Sequence, residues 1–159
     1  GTLQVIATDH CSFDYHGDKQ NGKDDFTKCP NGAPGVETRM PIVFSEGVSK
    51  GRMSLNKFAA VTSTNPAKIF GMYPKKGVLA VGSDADIVLM NPDMEVTITK
   101  NILHENVDYT PYEGIQVKGW PVMTMVRGQA VVENERLQVP LGFGRYINRK
   151  PVKYTELLK

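Results

Sequence analysis

An α/β fold is predicted for this chain from three features of its sequence. Residues 3–7 form a short, nearly continuous apolar run, as is typical of a strand buried on both faces of a parallel sheet. Residues 36–71 carry apolar side chains at helical spacing, whereas residues 75–140 contain short runs rich in Val, Ile, Met and Thr between turn residues. One strand and three helices cannot cover one another's apolar faces as closed layers, so we expect part of that burial to come from chain outside this sequence.

Composition excludes several classes of partner. The 159 residues are 40% hydrophobic and 23% charged, which is typical of a folded domain. A net charge of +2 from scattered basic residues gives too weak a field for a nucleic-acid or anionic-membrane partner, and no apolar run approaches the roughly 20 residues of a membrane span. We therefore expect a cytoplasmic protein with neither partner, in which Cys11 and Cys29 are reduced thiols.

Local signals predict the bounds of three helices. The first begins at Val36 and is closed by Lys50 and Gly51, because its apolar residues share one helical face. Ser54 can cap the second helix. The Asn65-Pro66 pair is predicted to restart a short third helix, which Gly71 ends.

Short strands are predicted over residues 85–90, 96–99 and 122–126, and Arg127-Gly128 is predicted to form a hairpin turn into a strand over residues 129–132.

The chain divides into three parts on these signals. Residues 1–74 hold the first strand, a long loop and the helices, residues 75–140 hold the β-unit, and residues 141–159 form a basic, aromatic tail. We expect this tail to be a strap on a neighbouring subunit. Because the first residue is Gly1 rather than Met and the apolar run follows at once, we also expect a fragment or a processed product of a longer protein.

Asp9 is the first candidate for chemistry. It ends the predicted strand, and parallel α/β barrels place their active sites at the carboxyl ends of their strands. A turn or helix-capping aspartate is the alternative. Residues 12–35 follow without periodicity and are rich in Gly, Asp, Asn, Lys and Pro, so we interpret them as an active-site loop.

The histidines and cysteines are weaker candidates. His10 follows Asp9 directly, and successive side chains of a strand point to opposite faces, so a loop or supporting role is favoured over metal binding. His16 and His104 are isolated, and Cys11 lacks a third group to orient it as a nucleophile beside His10. There is no His-x-His, His-Glu-x-x-His or paired Cys-x-x-Cys motif, so any metal must take further ligands from elsewhere.

Several motifs, in the right order over nearly the whole chain, closely resemble those of dihydropyrimidinases and bacterial hydantoinases. The clearest are TDHC, GKDDFTKCPNG, VTSTNPAKIFG and VGSDADIV. The segments that carry the resemblance are residues 8–11, 22–32, 61–71, 73–77, 81–88, 112–114 and 144–146.

The resemblance implies a fold and a site. The chain would be the C-terminal part of a (β/α)8, TIM-like barrel of a metal-dependent hydrolase, with residues 3–9 as its last strand, followed by the C-terminal strands of a small β-sandwich. Asp9 would be both a metal ligand and a catalytic residue, and the backbone of Asn31 would bind the substrate. The family's other ligands, a His-x-His pair, a carboxylated lysine and two histidines, are absent from this sequence. A plain turn is the alternative for Asn31, since Asn-Gly is a strong turn signal.

The activity that the resemblance implies is hydrolysis of a ring amide in 5,6-dihydropyrimidines or hydantoins to N-carbamoyl amino acids. Two divalent metal ions, zinc by expectation, would activate water, while Asp9 would take its proton and pass it to the departing ring nitrogen. A homotetramer is implied, and this chain alone is expected to be inactive. The alternatives are a non-catalytic protein similar to the collapsin response mediator proteins, which lack the aspartate and the Asn-Gly pair, and a hydrolase of the allantoinase or dihydroorotase type.

Overall fold

The structure, a computed structural model, describes residues 2–152 and has an α/β fold. Its helical part contains α1 (Arg39–Val43), α2 (Leu55–Ala59) and α3 (Asn65–Ile69). Short 3-10 turns lie at Lys19–Gly22, Phe26–Lys28 and Lys100–Ile102. No helix within residues 2–152 is long and apolar enough to span a membrane.

The first predicted helix is present, but it begins at Arg39 rather than at Val36. Helix α1 continues as a π-helical turn, Phe44–Ser49, and the chain leaves the helix at Gly51, which has a φ of 68°. The Phe44 ring is buried and meets Phe58 edge to face, with 5.4 Å between the ring centroids. This aromatic pair joins the first helix to the second.

The second and third predicted helices are one continuous helical segment. The Ser54 side chain caps α2 by accepting a hydrogen bond from the backbone N–H of Lys57 (3.2 Å), as predicted. A π-helical turn, Ala60–Thr64, then leads directly into α3, so Pro66 lies inside the segment rather than restarting it. The wider turn accommodates the Pro66 ring, which lacks an N–H donor. Gly71, with a φ of 68°, ends the segment as predicted.

Four antiparallel strands form one sheet in the order β1-β2-β3-β4. They are β1 (Ile87–Thr97), β2 (Gln116–Val126), β3 (Gln129–Glu133) and β4 (Arg136–Leu137).

The predicted strands over residues 85–90 and 96–99 are parts of a single strand, β1, whose pairing with β2 shifts register around Asn91-Pro92. Pro92 falls in the interval between Asn91 and Glu95 that has no partner on β2, so its missing N–H breaks no bond of that ladder. The hairpin at Arg127-Gly128 is confirmed, and both residues have the positive φ, 51° and 78°, of a type I′ turn.

Residues 3–7 do not form the predicted buried strand. They build no ladder with any described residue, and Leu3 is 74% exposed. The backbone N–H of Ile6 instead donates to the carbonyl of Val61 (3.1 Å), and the Ile6 carbonyl accepts from Arg39 (3.2 Å). A strand needs the N–H and C=O groups of a neighbour, and residues 2–152 supply none beside this segment.

Helix α1 and the π-helical turn that follows it pack against β2 of the sheet. The ring of Phe44 lies against Gly119 of β2, where an added Cβ would come within 2.2 Å of the ring. A small core continues from this contact between the sheet and the segment that follows β1. Its buried members are Ile98, Leu103, Val117 and Trp120.

A charged cluster fastens the helical part to the sheet. The Lys76 ammonium bonds the Asp86 carboxylate and lies 3.0 Å from Asp84, while Asp86 also accepts from the Arg127 N–H (2.8 Å). Burial alone would raise the pKa of Asp86, but the hydrogen bonds from Lys76 and Arg127 outweigh it and lower that pKa below its ordinary value. For Lys76, burial would lower the pKa, and the hydrogen bonds to Asp86 and Asp84 raise it.

The tail folds back on the body as far as it is described. The Arg127 guanidinium lies 4.4 Å from the Phe143 ring centroid, and the Lys150 N–H donates to the Gly71 carbonyl (3.0 Å). Residues 153–159 of the predicted strap lie outside the described residues, so contact with another subunit stays a prediction.

Replacing Gly119 by alanine is expected to destabilise the fold by about 2–4 kcal/mol, because both the positive φ and the contact with Phe44 oppose a Cβ. Gly114→Ala is the matched control. Gly114 has a φ of 80° but open space around it, so only the strain of the positive φ should destabilise the fold, by about 1–2 kcal/mol. Urea unfolding measures both. Equal losses would contradict the packing of Phe44 on β2.

Asp86→Asn is expected to lower the melting temperature at neutral pH by several degrees. Because the folded pKa of Asp86 is lowered, its contribution is full above the unfolded value and is lost as pH falls through the folded value. The difference in melting temperature between wild type and variant should therefore shrink below about pH 4. Asp93→Asn, at an exposed pair with Lys118, is the control and should change little. A pH-independent difference for Asp86→Asn would refute this electrostatic role.

Candidate functional site

Asp9 adopts a left-handed backbone conformation. Its φ is 51°, a left-handed conformation that is uncommon outside glycine, and its side chain is exposed. The carboxylate makes no hydrogen bond or ion pair with any residue between 2 and 152. An unpaired carboxylate held in a strained backbone conformation is available to bind a cation or a ligand.

The loop of residues 12–35 returns to the segment that carries Asp9. Gly32, with a φ of 116°, lies so close that an added Cβ would be 2.3 Å from the Cys11 carbonyl oxygen. The Cys11 N–H donates to the Ala33 carbonyl (3.3 Å). The segments that carry Asp9 and Asn31 are therefore brought together by a backbone approach that only glycine permits at position 32.

The Asn31 backbone is free to take a partner. The residue is exposed, and neither its N–H nor its C=O is hydrogen-bonded to another residue of the described chain. On either side of it, the carbonyls of Pro30 and Gly32 accept hydrogen bonds from the Lys19 ammonium at 2.5 and 2.6 Å.

His10 anchors the loop. Its Nδ1 accepts hydrogen bonds from the N–H groups of Gly35 (3.1 Å) and Val36 (3.3 Å), which places the ring proton on Nε2. The Glu105 carboxylate is 3.8 Å from the same Nδ1. Because Nδ1 accepts rather than donates, that approach is not an ion pair, and the ring serves to hold the loop end.

Glu37 and Glu105, which the sequence analysis did not single out, join the end of the loop to the segment after β1. The Glu37 carboxylate accepts from the N–H groups of His104 (2.7 Å) and Glu105 (3.2 Å), and the Glu105 carboxylate accepts from the Glu37 N–H (3.1 Å). The hydrogen bond to Glu37, assisted by the Glu135 carbonyl, raises the pKa of His104. His104 is thus a structural residue in this network.

The start of the loop is fixed by Asp108. Its carboxylate accepts hydrogen bonds from the N–H groups of His16 (2.8 Å) and Tyr15 (2.6 Å), which lower the pKa of Asp108. The His16 ring contacts Gln20 (3.2 Å) and lies away from any cluster of possible ligands within residues 2–152.

The described residues do not form a complete metal site by themselves. Residues 2–152 contain no group of three or more His, Cys, Asp and Glu side chains that could hold an ion. The exposed, unpaired Asp9 carboxylate fits the role of a single ligand, since zinc accepts carboxylate oxygen among its usual donors. A complete metal site needs donors from outside this set.

Comparison with known proteins gives consistent matches. The sequence profile of the amidohydrolase family matches residues 1–131. D-hydantoinase from Geobacillus stearothermophilus is 48% identical over 158 residues, which are 99% of this chain and 33% of that protein. D-phenylhydantoinase from Escherichia coli O1:K1 is 45% identical over 151 residues, 95% of this chain and 33% of that protein.

Solved structures agree with these matches. The crystal structure of dihydropyrimidinase from Brevibacillus agri superimposes with a TM-score of 0.93 at 51% identity, covering 95% of this chain and 33% of that one. L-hydantoinase (dihydropyrimidinase) from Arthrobacter aurescens gives 0.84 at 40% identity, covering 94% and 33%. The chain spans about a third of the length of the curated relatives that it matches.

Gly32→Ala is expected to loosen the loop, because the new Cβ cannot coexist with the Cys11 carbonyl. Amide hydrogen exchange over residues 30–36 should become at least about tenfold faster. Gly17→Ala is the matched control, since Gly17 has a φ of 112° but nothing within 4 Å. If both variants exchange alike, the close approach at Cys11 does not hold the loop.

Proposed function

Because this chain belongs to the amidohydrolase family of metal-dependent hydrolases, we propose that the full-length protein hydrolyses the ring amide of cyclic diamides and imides, such as dihydropyrimidines and hydantoins, to N-carbamoyl amino acids. The observation that supports the proposal is the contact of Cys11 with Gly32, which brings together the segments that carry the unpaired Asp9 carboxylate and the unpaired backbone of Asn31.

Asp9 is the proposed metal ligand and proton carrier. Two divalent ions, zinc in our proposal, would supply activation of water and polarisation of the attacked carbonyl when bound. The Asp9 carboxylate accepts the proton from the attacking water and delivers it to the departing ring nitrogen. Its exposure and its lack of other partners leave both oxygens available for these steps.

Asn31 is the residue whose backbone we propose to recognise the substrate ring. A cyclic diamide presents alternating N–H and C=O edges, and the N–H and C=O of one residue can pair with neighbouring edges of that kind. Each buried polar edge left unpaired would cost about 1–3 kcal/mol, so this pairing favours rings that carry both groups. The side chain of Asn31 is not needed for it.

The remaining parts follow from the proposed family architecture. Residues 3–9 would be the last strand of a (β/α)8 barrel, which accounts for their lack of a ladder within residues 2–152. Strands β1 to β4 would be the C-terminal share of a β-sandwich. The other metal ligands would come from earlier barrel strands, and the protein would assemble as a homotetramer in the cytoplasm.

Asp9→Ala in the full-length protein is expected to lower kcat for dihydrouracil and hydantoin by about 10²–10⁴ or more, because proton transfer is lost along with a ligand. Metal content measured by mass spectrometry should also fall. Asp9→Asn should keep the shape of the side chain but fail in proton transfer. Appearance of the N-carbamoyl product is the rate measurement.

Asp24→Asn serves as the control, since Asp24 is exposed in the same loop and its side chain makes no hydrogen bond or ion pair with other described residues. It should leave rate and metal content unchanged. Full activity and full metal content in Asp9→Ala would refute the role of Asp9. A wild-type protein that binds metal but opens no cyclic amide would instead refute the proposed reaction.

A further inference from the structure

The ammonium group of Lys19 is satisfied in an unusual way. It is partly buried and forms no ion pair with a carboxylate anywhere in residues 2–152. Its partners are the carbonyls of Pro30 and Gly32, and the Phe13 ring lies 5.4 Å away. A lysine ammonium that bonds two backbone carbonyls restrains the backbone that carries them, because charge-assisted hydrogen bonds are about twice as strong as neutral ones.

The two bonds constrain the peptide planes around Asn31. A trans peptide is planar, with its C=O and N–H on opposite sides. Turning the Pro30 carbonyl towards Lys19 therefore aims the Asn31 N–H away from the ammonium, and turning the Gly32 carbonyl does the same for the Ala33 N–H. The peptide between them, which carries the Asn31 carbonyl, is held at both ends.

The Asn31 N–H and C=O make no hydrogen bond within residues 2–152, and besides Lys19 the Pro30 carbonyl accepts only a long hydrogen bond from the Cys29 thiol (3.8 Å). Asn31 is exposed, and the next anchor along the chain is the bond from Cys11 to the Ala33 carbonyl. An unpaired, exposed backbone would otherwise sample several conformations, and a ligand would have to select one of them. Because the Lys19 ammonium restrains this backbone in advance, less conformational entropy is lost when the ligand binds.

We propose that Lys19 is a positioning residue for substrate binding: its ammonium holds the carbonyls that flank Asn31, so that the Asn31 N–H and C=O face the ring amide of the substrate. This inference rests on the proposed function and adds a residue to that site. Lys19 touches neither the substrate nor a metal, so it acts on binding through the loop backbone.

The test is steady-state hydrolysis of dihydrouracil by the full-length protein carrying Lys19→Met, Lys19→Arg or Lys23→Met. Lys19→Met should raise KM about tenfold or more while kcat stays within about threefold, as expected when binding shared by ground and transition states is lost. Lys19→Arg keeps a charged donor and should restore most of the affinity. Lys23 is exposed in the same loop, and its side chain makes no hydrogen bond or ion pair with the described residues, so Lys23→Met should match wild type.

Two further readouts separate positioning from general stability. Metal content should be unchanged in Lys19→Met, and amide exchange should accelerate over residues 30–34 but not over residues 55–69. Should Lys19→Met fail to fold, Lys19→Gln gives the same comparison without the charge. An unchanged KM in the folded variant, with or without a lower melting temperature, would overturn the inference. A wild-type protein that hydrolyses no cyclic amide would overturn the proposed function on which it rests.

Discussion

The site depends on one close approach between two stretches of backbone, at Cys11 and Gly32. The loop of residues 12–35 could project anywhere from the end of the Asp9 segment, because it has no apolar face of its own. The missing side chain at Gly32 lets it return, and the bond from Cys11 to Ala33 holds it there. Asp108, His10 and Lys19 then fix the start, the end and the middle of the loop. Without that return, the proposed metal ligand at Asp9 and the proposed substrate-binding backbone at Asn31 would lie on segments that do not meet.

The fold could be predicted wherever the signal was local. The cap at Ser54, the helix end at Gly71 and the hairpin at Arg127-Gly128 each depend on a few neighbouring residues, and each is confirmed. The strand over residues 3–7 forms no ladder within residues 2–152 and stays a prediction, because a strand depends on a partner that no described residue provides. Strand β4 was missed because its turn, Asn134-Glu135, reaches positive φ without glycine.

The candidate site was predictable only in part. Asp9 follows an apolar run and Asn31 stands before a glycine, so position and family resemblance drew attention to both. Lys19 was not predicted, because its partners lie 11 and 13 residues away in a loop without periodicity. Glu37 and Glu105 are 68 residues apart, and the backbone N–H of each donates a hydrogen bond to the carboxylate of the other. No local sequence pattern predicts such a pair. Polar contacts between residues so far apart in the sequence can be identified only once the fold is known.

The most direct measurement is anomalous X-ray diffraction from crystals of the full-length protein, collected at the absorption edge of the metal it contains. We expect an ion with a carboxylate oxygen of Asp9 at about 2.0–2.2 Å, next to a loop in which Lys19 still bonds the carbonyls of Pro30 and Gly32. An ion bound elsewhere, with Asp9 turned away from it in protein that hydrolyses cyclic amides, would contradict the placement of the metal and the proton carrier at Asp9.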